Sequence, residues 1–247
     1  MFPTLALLIL VGCPAPDEKD ELLAAAKRAA EVKSYSFRGE TRLALPEGMA
    51  RAGGSDPVKF EGKVERETGA WVKTDSYEFV TVGGKTVARP SADWKLIKEE
   101  DETEIQRGLF RGLASSRPVR APHEEFAGYA RVVTKAKKAE AKESVGDREC
   151  QVYEAEFSEE AARDMARALF PMGRWLDRMP EAKYSAGTKA WVDGDGRILK
   201  VETSVKISAS VQGNDIEMSA TRSATITDID ATKLEIPDPV KKALEGK

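Results

Sequence analysis

From Tyr184 to Ile226 the chain alternates apolar and polar residues with a period of two, and no other pattern restricts its fold so tightly. Leu199, Val201, Thr203, Val205, Ile207, Ala209 and Val211 alternate with Lys200, Glu202, Ser204, Lys206, Ser208 and Ser210; after Gly213-Asn214, Ile216, Met218, Ala220, Ala224 and Ile226 continue in the same way. Successive side chains of a strand point to opposite faces, so each run has one dry face and one wet face. Tyr184 to Val192 precedes them, joined through the turn Asp193-Gly194-Asp195-Gly196. The reading is of long antiparallel strands whose dry faces lie together.

The rest of the chain supplies more strands and a few helices. Leu22, Ala25, Ala26, Ala29 and Val32 recur at helical spacing, which predicts an amphipathic helix over residues 18 to 32 with a narrow, alanine-rich stripe. The period then changes to two: Tyr35, Phe37, Thr41, Leu43 and Leu45 form one face of a strand, and Val58, Phe60, Gly62 and Val64 one face of the next, across a Gly- and Pro-rich loop at 46 to 57. Shorter strands are expected at 70 to 76 and 77 to 82, with Gly83-Gly84 turning the chain into Lys85 to Arg89 and a continuation at Trp94 to Ile97. Helices are expected from the acidic run Glu99 to Glu104 through Leu113, after Pro122, and from the cap Ser158 through Leu169, stopped by Pro171. From about Arg131 to Ser144 the sequence is basic and alanine-rich, which suits a helix or a strand, with a strand the favoured reading, and Gly146-Asp147 turns it into a strand from Cys150 to Phe157. Nine to eleven strands accumulate too much twist to stay flat. The predicted fold class is therefore α+β: one curved antiparallel sheet whose concave dry face is covered by a few amphipathic helices.

The N-terminus is an address rather than a part of that fold. An uncharged apolar run from Phe2 ends in Leu10-Val11-Gly12-Cys13, which resembles the lipobox of bacterial lipoproteins. The apolar core from Leu5 to Val11 suits a signal peptide and is far shorter than the roughly 20 residues a membrane-spanning helix needs. The resemblance implies cleavage before Cys13 and lipidation of its thiol, with residues 1–12 as signal peptide, 13–20 as anchor linker and 21–247 as a single domain. Several acyl chains on one residue, at about 0.8 kcal/mol per buried CH₂, give durable attachment. The expected location is outside the cytoplasm, held by lipid to a bacterial cell membrane and facing the periplasm or the cell exterior.

Little in the chain points to catalysis. Charged residues make up 33% of it at a net charge of −3, so the signs are mixed and no basic field exists to hold nucleic acid. Cys13 and Cys150 are the only cysteines; with Cys13 lipidated, Cys150 has no partner and reads as a small packed residue in a strand. His123, the only histidine, stands beside Pro122 with no Ser or Asp placed near it by a motif. Asp193-Gly194-Asp195-Gly196 reads as a hairpin turn, because Arg197-Ile198-Leu199-Lys200 supplies none of the later ligands of a calcium loop. No catalytic residue, metal site or cofactor is assigned, and a non-enzyme is expected.

The order of lipobox, amphipathic helix, Tyr35-Ser36-Phe37-Arg38-Gly39, meander with Val82-Gly83-Gly84-Lys85, Trp94, helices, Lys189-Ala190-Trp191-Val192-Asp193 and Gly196-Arg197-Ile198-Leu199-Lys200-Val201-Glu202 resembles the LolA/LolB-like superfamily, which includes the LppX and LprG lipoproteins. The resemblance implies a half-open barrel closed by helices, with acyl chains bound in its cavity. On that footing the expected function is a membrane-anchored envelope lipoprotein that binds, and could transfer, lipid or acyl chains. The alternative is an anchored protein-binding or sensory module of the same fold, with an envelope protein partner and no lipid ligand. A monomer is expected in either case. The dry-face residues Phe37, Leu43, Phe60, Val64, Leu199, Val201, Val205, Ile207, Ile216 and Met218 are the candidates for lining a cavity, with plain core packing as the other reading.

Overall fold

The computed structural model describes residues 17–46, 56–89, 93–97, 121–170, 181–211 and 214–245. The expected signal peptide and Cys13, the helix from Glu99, most of the 46–57 loop, the stop at Pro171 and the turn at Gly213 lie outside these residues. Helical spacing gives helix α1 (Glu18–Glu31), whose N-cap Asp17 accepts from the Lys19 backbone N–H and which buries Leu22, Ala25, Ala26 and Ala29. The change of period gives β1 (Ser34–Ala44) and β2 (Val58–Glu65), followed by β3 (Gly69–Thr74), β4 (Glu78–Val82), β5 (Lys85–Arg89) and β6 (Lys95–Ile97). Gly83 and Gly84, at φ 55° and 80°, turn β4 into β5. Helix α2 (Pro122–Ala130) starts with its proline in the first turn, where a missing N–H costs nothing.

Two short strands, β7 (Val133–Lys138) and β8 (Glu143–Val145), then precede β9 (Arg148–Phe157). Helix α3 (Glu159–Leu169) is capped by the Ser158 hydroxyl, which accepts from the Ala161 N–H. The long hairpins are β10 (Lys183–Asp193), β11 (Ile198–Val211) and β12 (Asn214–Thr227), and the described chain ends in α4 (Asp238–Leu244). Among the described residues the strands form one twelve-stranded antiparallel sheet in the order β6-β5-β4-β3-β2-β1-β12-β11-β10-β9-β7, with β8 also on β9. The two outer strands do not meet, so the curved sheet is a half-open barrel, the α+β architecture expected. One strand more is present than the nine to eleven expected. The segment read as a single strand from Arg131 to Ser144 bends at Glu140 and Ala141, so that β7 pairs with the second half of β9 and β8 with the first.

Helices α1, α2 and α3 lie on one face of the sheet, and the main core forms between them. Two glycines set how closely its strands approach. Phe37 stands opposite Gly62 and Phe60 opposite Gly39 on the β1–β2 ladder, so each ring lies over the neighbouring strand's glycine. A Cβ on Gly62 would come within 2.3 Å of the Phe37 ring and 2.6 Å of the Trp71 carbonyl oxygen. The opposite face is dry in places as well. Trp71, Val80, Val87 and Leu96 form one row across β3 to β6, and α4 covers it with Val240 fully buried. The sequence reading assigns no element after β12, so this helix is an addition to it.

Candidate functional site

The concave face holds most of the residues singled out from the sequence. Phe37, Phe60, Val64, Val201, Val205, Ile207 and Met218 are buried in the main core, and Leu43 packs half-buried against it. Ile216 is half-buried near the β11–β12 hairpin and belongs to no core cluster. Leu199 belongs elsewhere. Val192 pairs with Ile198 but Trp191 pairs with Lys200, so β11 carries one extra residue, and this bulge takes Leu199 out of phase. Leu199 therefore packs with Cys150, Val152 and Trp191 in a small cluster apart from the main core, while Ile198 takes the inner position. The strict alternation from Leu199 to Val201 read from the sequence is corrected here.

A polar row crosses this otherwise dry face. Thr188, Thr203, Arg222 and Thr41 are register neighbours on β10, β11, β12 and β1, and each is buried. Arg222 falls in phase with Met218, Ala220, Ala224 and Ile226, so its side chain turns inward, where it is 9% exposed. Its Nε donates to Thr41 Oγ1 at 3.2 Å, and its Nη1 reaches both carboxylate oxygens of Glu125 on α2 at 3.2 Å. Glu125 also accepts from the Tyr129 hydroxyl at 2.9 Å, and the guanidinium stands 6.0 Å from the Phe60 ring centre. The Thr188 hydroxyl donates to the Glu202 carbonyl at 3.0 Å and lies 3.4 Å from that of Thr203. Neither Arg222 nor Glu125 is among the candidates from the sequence. The signal that finds Arg222 is simple: a charged residue standing in the dry phase of a long strand.

The row divides the concave face. On one side Phe37, Val201, Ala224 and Ile226 lie beneath α1 and α2. On the other, Val205, Ile207 and Ala209 of β11, Ala220, Met218 and Ile216 of β12, and Leu43 of β1 run toward the β11–β12 hairpin, with Leu43, Ala209 and Ile216 half-buried.

His123 is fully buried on α2, its ring centre 4.3 Å from that of Tyr35. Its Nε2 lies 3.3 Å from the Ile198 carbonyl oxygen, which can only accept, so Nε2 carries the proton and donates. Nδ1 and the Tyr35 hydroxyl have no hydrogen-bond partner among the described residues. Burial pulls the imidazole pKa down to about 4 against the hydrogen bond to Ile198, and burial raises that of the Tyr35 phenol. Asp193 serves the turn: its Oδ1 accepts from the Asp195 and Arg197 N–H groups, and its Oδ2 pairs with Arg148 at 2.7 Å. Cys150 is buried, and its thiol pKa is raised by burial and by Asp193. Among the described residues no group of three or more His, Cys, Asp or Glu is placed to hold a metal ion, and no helix is long and apolar enough to cross a membrane.

An open groove of about 430 Å³ lies over β7, β9, β10 and β11, where Gly187 leaves a notch between Lys135, Lys137, Glu154, Glu156, Lys189, Glu202 and Ser204. Its charges alternate along the register, and Lys189 pairs with Glu154 at 2.7 Å. The Lys189 pKa is raised and the Glu154 pKa lowered, each first by that hydrogen bond, which fits a solvated ladder of opposite charges.

No family model and no curated relative matches the chain. Among solved structures it is similar to the Mycobacterium tuberculosis lipoprotein LppX, at 11% identity over 87% of this chain and 98% of that one, with a TM-score of 0.45. It is also similar to a DUF1329 family protein from Desulfovibrio piger, at 8% identity over 90% of this chain and 96% of that one, with a TM-score of 0.34.

Proposed function

We propose that this chain is a membrane-anchored envelope lipoprotein that binds lipid or acyl chains on the concave face of its half-barrel and passes them on. The observation that carries the reading is the dry concave face: apolar side chains from β2 through β1, β12 and β11 to β10, covered among the described residues by helices. Between the polar row and the β11–β12 hairpin that face stays apolar: Val205, Ile207, Ala220 and Met218 are fully buried, and only Leu43, Ala209 and Ile216 are left half-buried. Apolar surface left accessible there is offered to an apolar ligand. Lys200 and Lys206 on the other side of β11 keep much of that side in water. The Cys13 lipobox supplies the anchor, and α1 starts five residues after it at Glu18, so the anchor and the fold are joined by a short tether.

Residues 17–245 bound the whole described fold, so Pro14 to Lys247, purified without detergent, is the form to test. Native mass spectrometry should find a co-purifying acylated species that dissociates on organic extraction. A clean apo mass that does not change after incubation with envelope lipids would overturn lipid binding and favour the module that binds a protein partner. The anchor is tested separately. Cys13→Ala should abolish labelling by a clickable fatty acid and leave uncleaved precursor, and unchanged labelling would remove the anchor from the proposal.

A further inference from the structure

We infer that the row around Arg222 is the headgroup site of the concave face and that the ligand it takes is an acyl chain ending in a carboxylate. This rests on the lipid-binding reading above and adds the chemical class of ligand.

The argument starts from what Arg222 does to a dry face. A guanidinium cannot shed its charge there, and a buried ion pair is seldom more stable than the apolar side chains that could replace it. Its hydrogen bonding is also incomplete. Of the five guanidinium N–H donors, Nε serves Thr41 and Nη1 serves both oxygens of Glu125, while Nη2 makes no hydrogen bond among the described residues. The strong arrangement for a carboxylate is a fork in which two nitrogens each face one oxygen; here a single nitrogen serves both, so the fork is left unfilled. A second carboxylate could take it, or displace that of Glu125. The hydroxyl of Thr203, in the adjacent position on β11, completes a polar end wall.

The surroundings define the rest of the ligand. From Arg222 toward the hairpin the inner positions of β12 are Ala220, Met218 and Ile216, and those of β11 are Val205, Ile207 and Ala209, without a charge among them. Arg222 to Asn214 at about 3.4 Å per residue spans about 27 Å, the scale of a long acyl chain; Ala220, Met218, Val205 and Ile207 along it are fully buried, so a tail lying there takes the place of the side chains that cover them, and Ile216 and Ala209 mark its half-buried outer end. One cation at the inner end of an apolar strip matches one anionic head with a single apolar tail. A neutral ester offers the guanidinium a single uncharged acceptor, a weaker partner than a carboxylate, and a zwitterionic head brings a cation of its own to Arg222.

The test compares cis-parinaric acid with its methyl ester by fluorescence titration of delipidated Pro14 to Lys247. The wild type should bind the acid ~10-fold or more tightly than the ester, the scale of a charge-assisted hydrogen bond. Arg222→Met should remove that preference, bringing acid and ester to within about 2-fold of each other, and Glu125→Gln, which removes the competing carboxylate, should tighten acid binding further. Equal affinities for acid and ester in the wild type, or a preference that persists in Arg222→Met, would overturn the headgroup assignment and leave lipid binding standing. Binding of neither probe would overturn the lipid-binding reading itself. Should Arg222→Met fail to fold, as circular dichroism would report, the wild-type comparison and Glu125→Gln still decide the question.

Discussion

His123 shows how one buried side chain sets a property of the whole fold. It is neutral in the folded protein with a pKa near 4, against 6.5 when exposed, because its burial between α2, which carries it, and Tyr35 of β1 disfavours the imidazolium. The unfolded chain therefore binds more protons between pH 6.5 and pH 4, and stability is complete above that window and falls as pH drops through it. Linkage puts the loss between pH 7 and pH 5 at about 2 kcal/mol. Unfolding in urea at the two pH values should show a lower midpoint at pH 5, and His123→Phe should flatten the difference. Equal midpoints in the wild type would mean that the imidazole is not desolvated. The sequence shows a lone histidine beside a proline; that it is buried, and against which ring, depends on α2 meeting β1 across long sequence separation, which no local pattern encodes.

At the scale of elements, alternation made most of the sheet legible. A strand with one wet face must alternate, and β1, β2, β10, β11 and β12 do so over long runs. It misled at Leu199, because a bulge adds one residue without altering composition: Leu199 and Val201 are apolar on either phase. It passed over Arg222 because the apolar positions on both sides carried the pattern. Helix α4 went unread because seven residues are too few to establish a period of 3.6, although Val240, Ala243 and Leu244 have the spacing. The glycines of β1 and β2 are a local device with a local test. Gly62→Ala sets a methyl group against the Phe37 ring and the Trp71 carbonyl, and the carbonyl is held in its ladder, so the substitution should cost about 1–3 kcal/mol of stability. Gly187→Ala meets the Ala155 carbonyl at 3.3 Å and the Ser204 hydroxyl at an ordinary 3.9 Å beside an open groove, and should cost clearly less. Thermal unfolding of the two variants side by side checks the order, and a milder effect at Gly62 would contradict the packing described.

The molecule as a whole is a sheet supported from different sides at its two ends. From β1 through β12 to β10 the strands are long and carry α1, α2 and α3 on the concave face. From β4 to β6 they are short, and α4 packs on the opposite face against β5 and β6, closing over Val80 and Val87. Arg89, paired with Glu78 and 5.1 Å from the Trp94 ring, ties the margin of that region together. The outermost strand there, β6, is only three residues long, and the other outer strand, β7, carries Lys135 and Lys137, both of which discourage pairing with another chain. Local stability follows local burial, so the two ends should open separately. Val240→Asp places a carboxylate at a fully buried contact between α4 and the sheet. Hydrogen exchange should then speed up by ~10-fold or more in β4 and β5, while β10, β11 and β12 keep their protection, since removing burial worth about 1.5–3 kcal/mol acts only where that burial is made. Uniform acceleration across the sheet would show that the two ends unfold as one unit. Acceleration confined to the α4 end would leave the concave face proposed to bind lipid independent of it, so on that proposal the same variant should still distinguish parinaric acid from its ester.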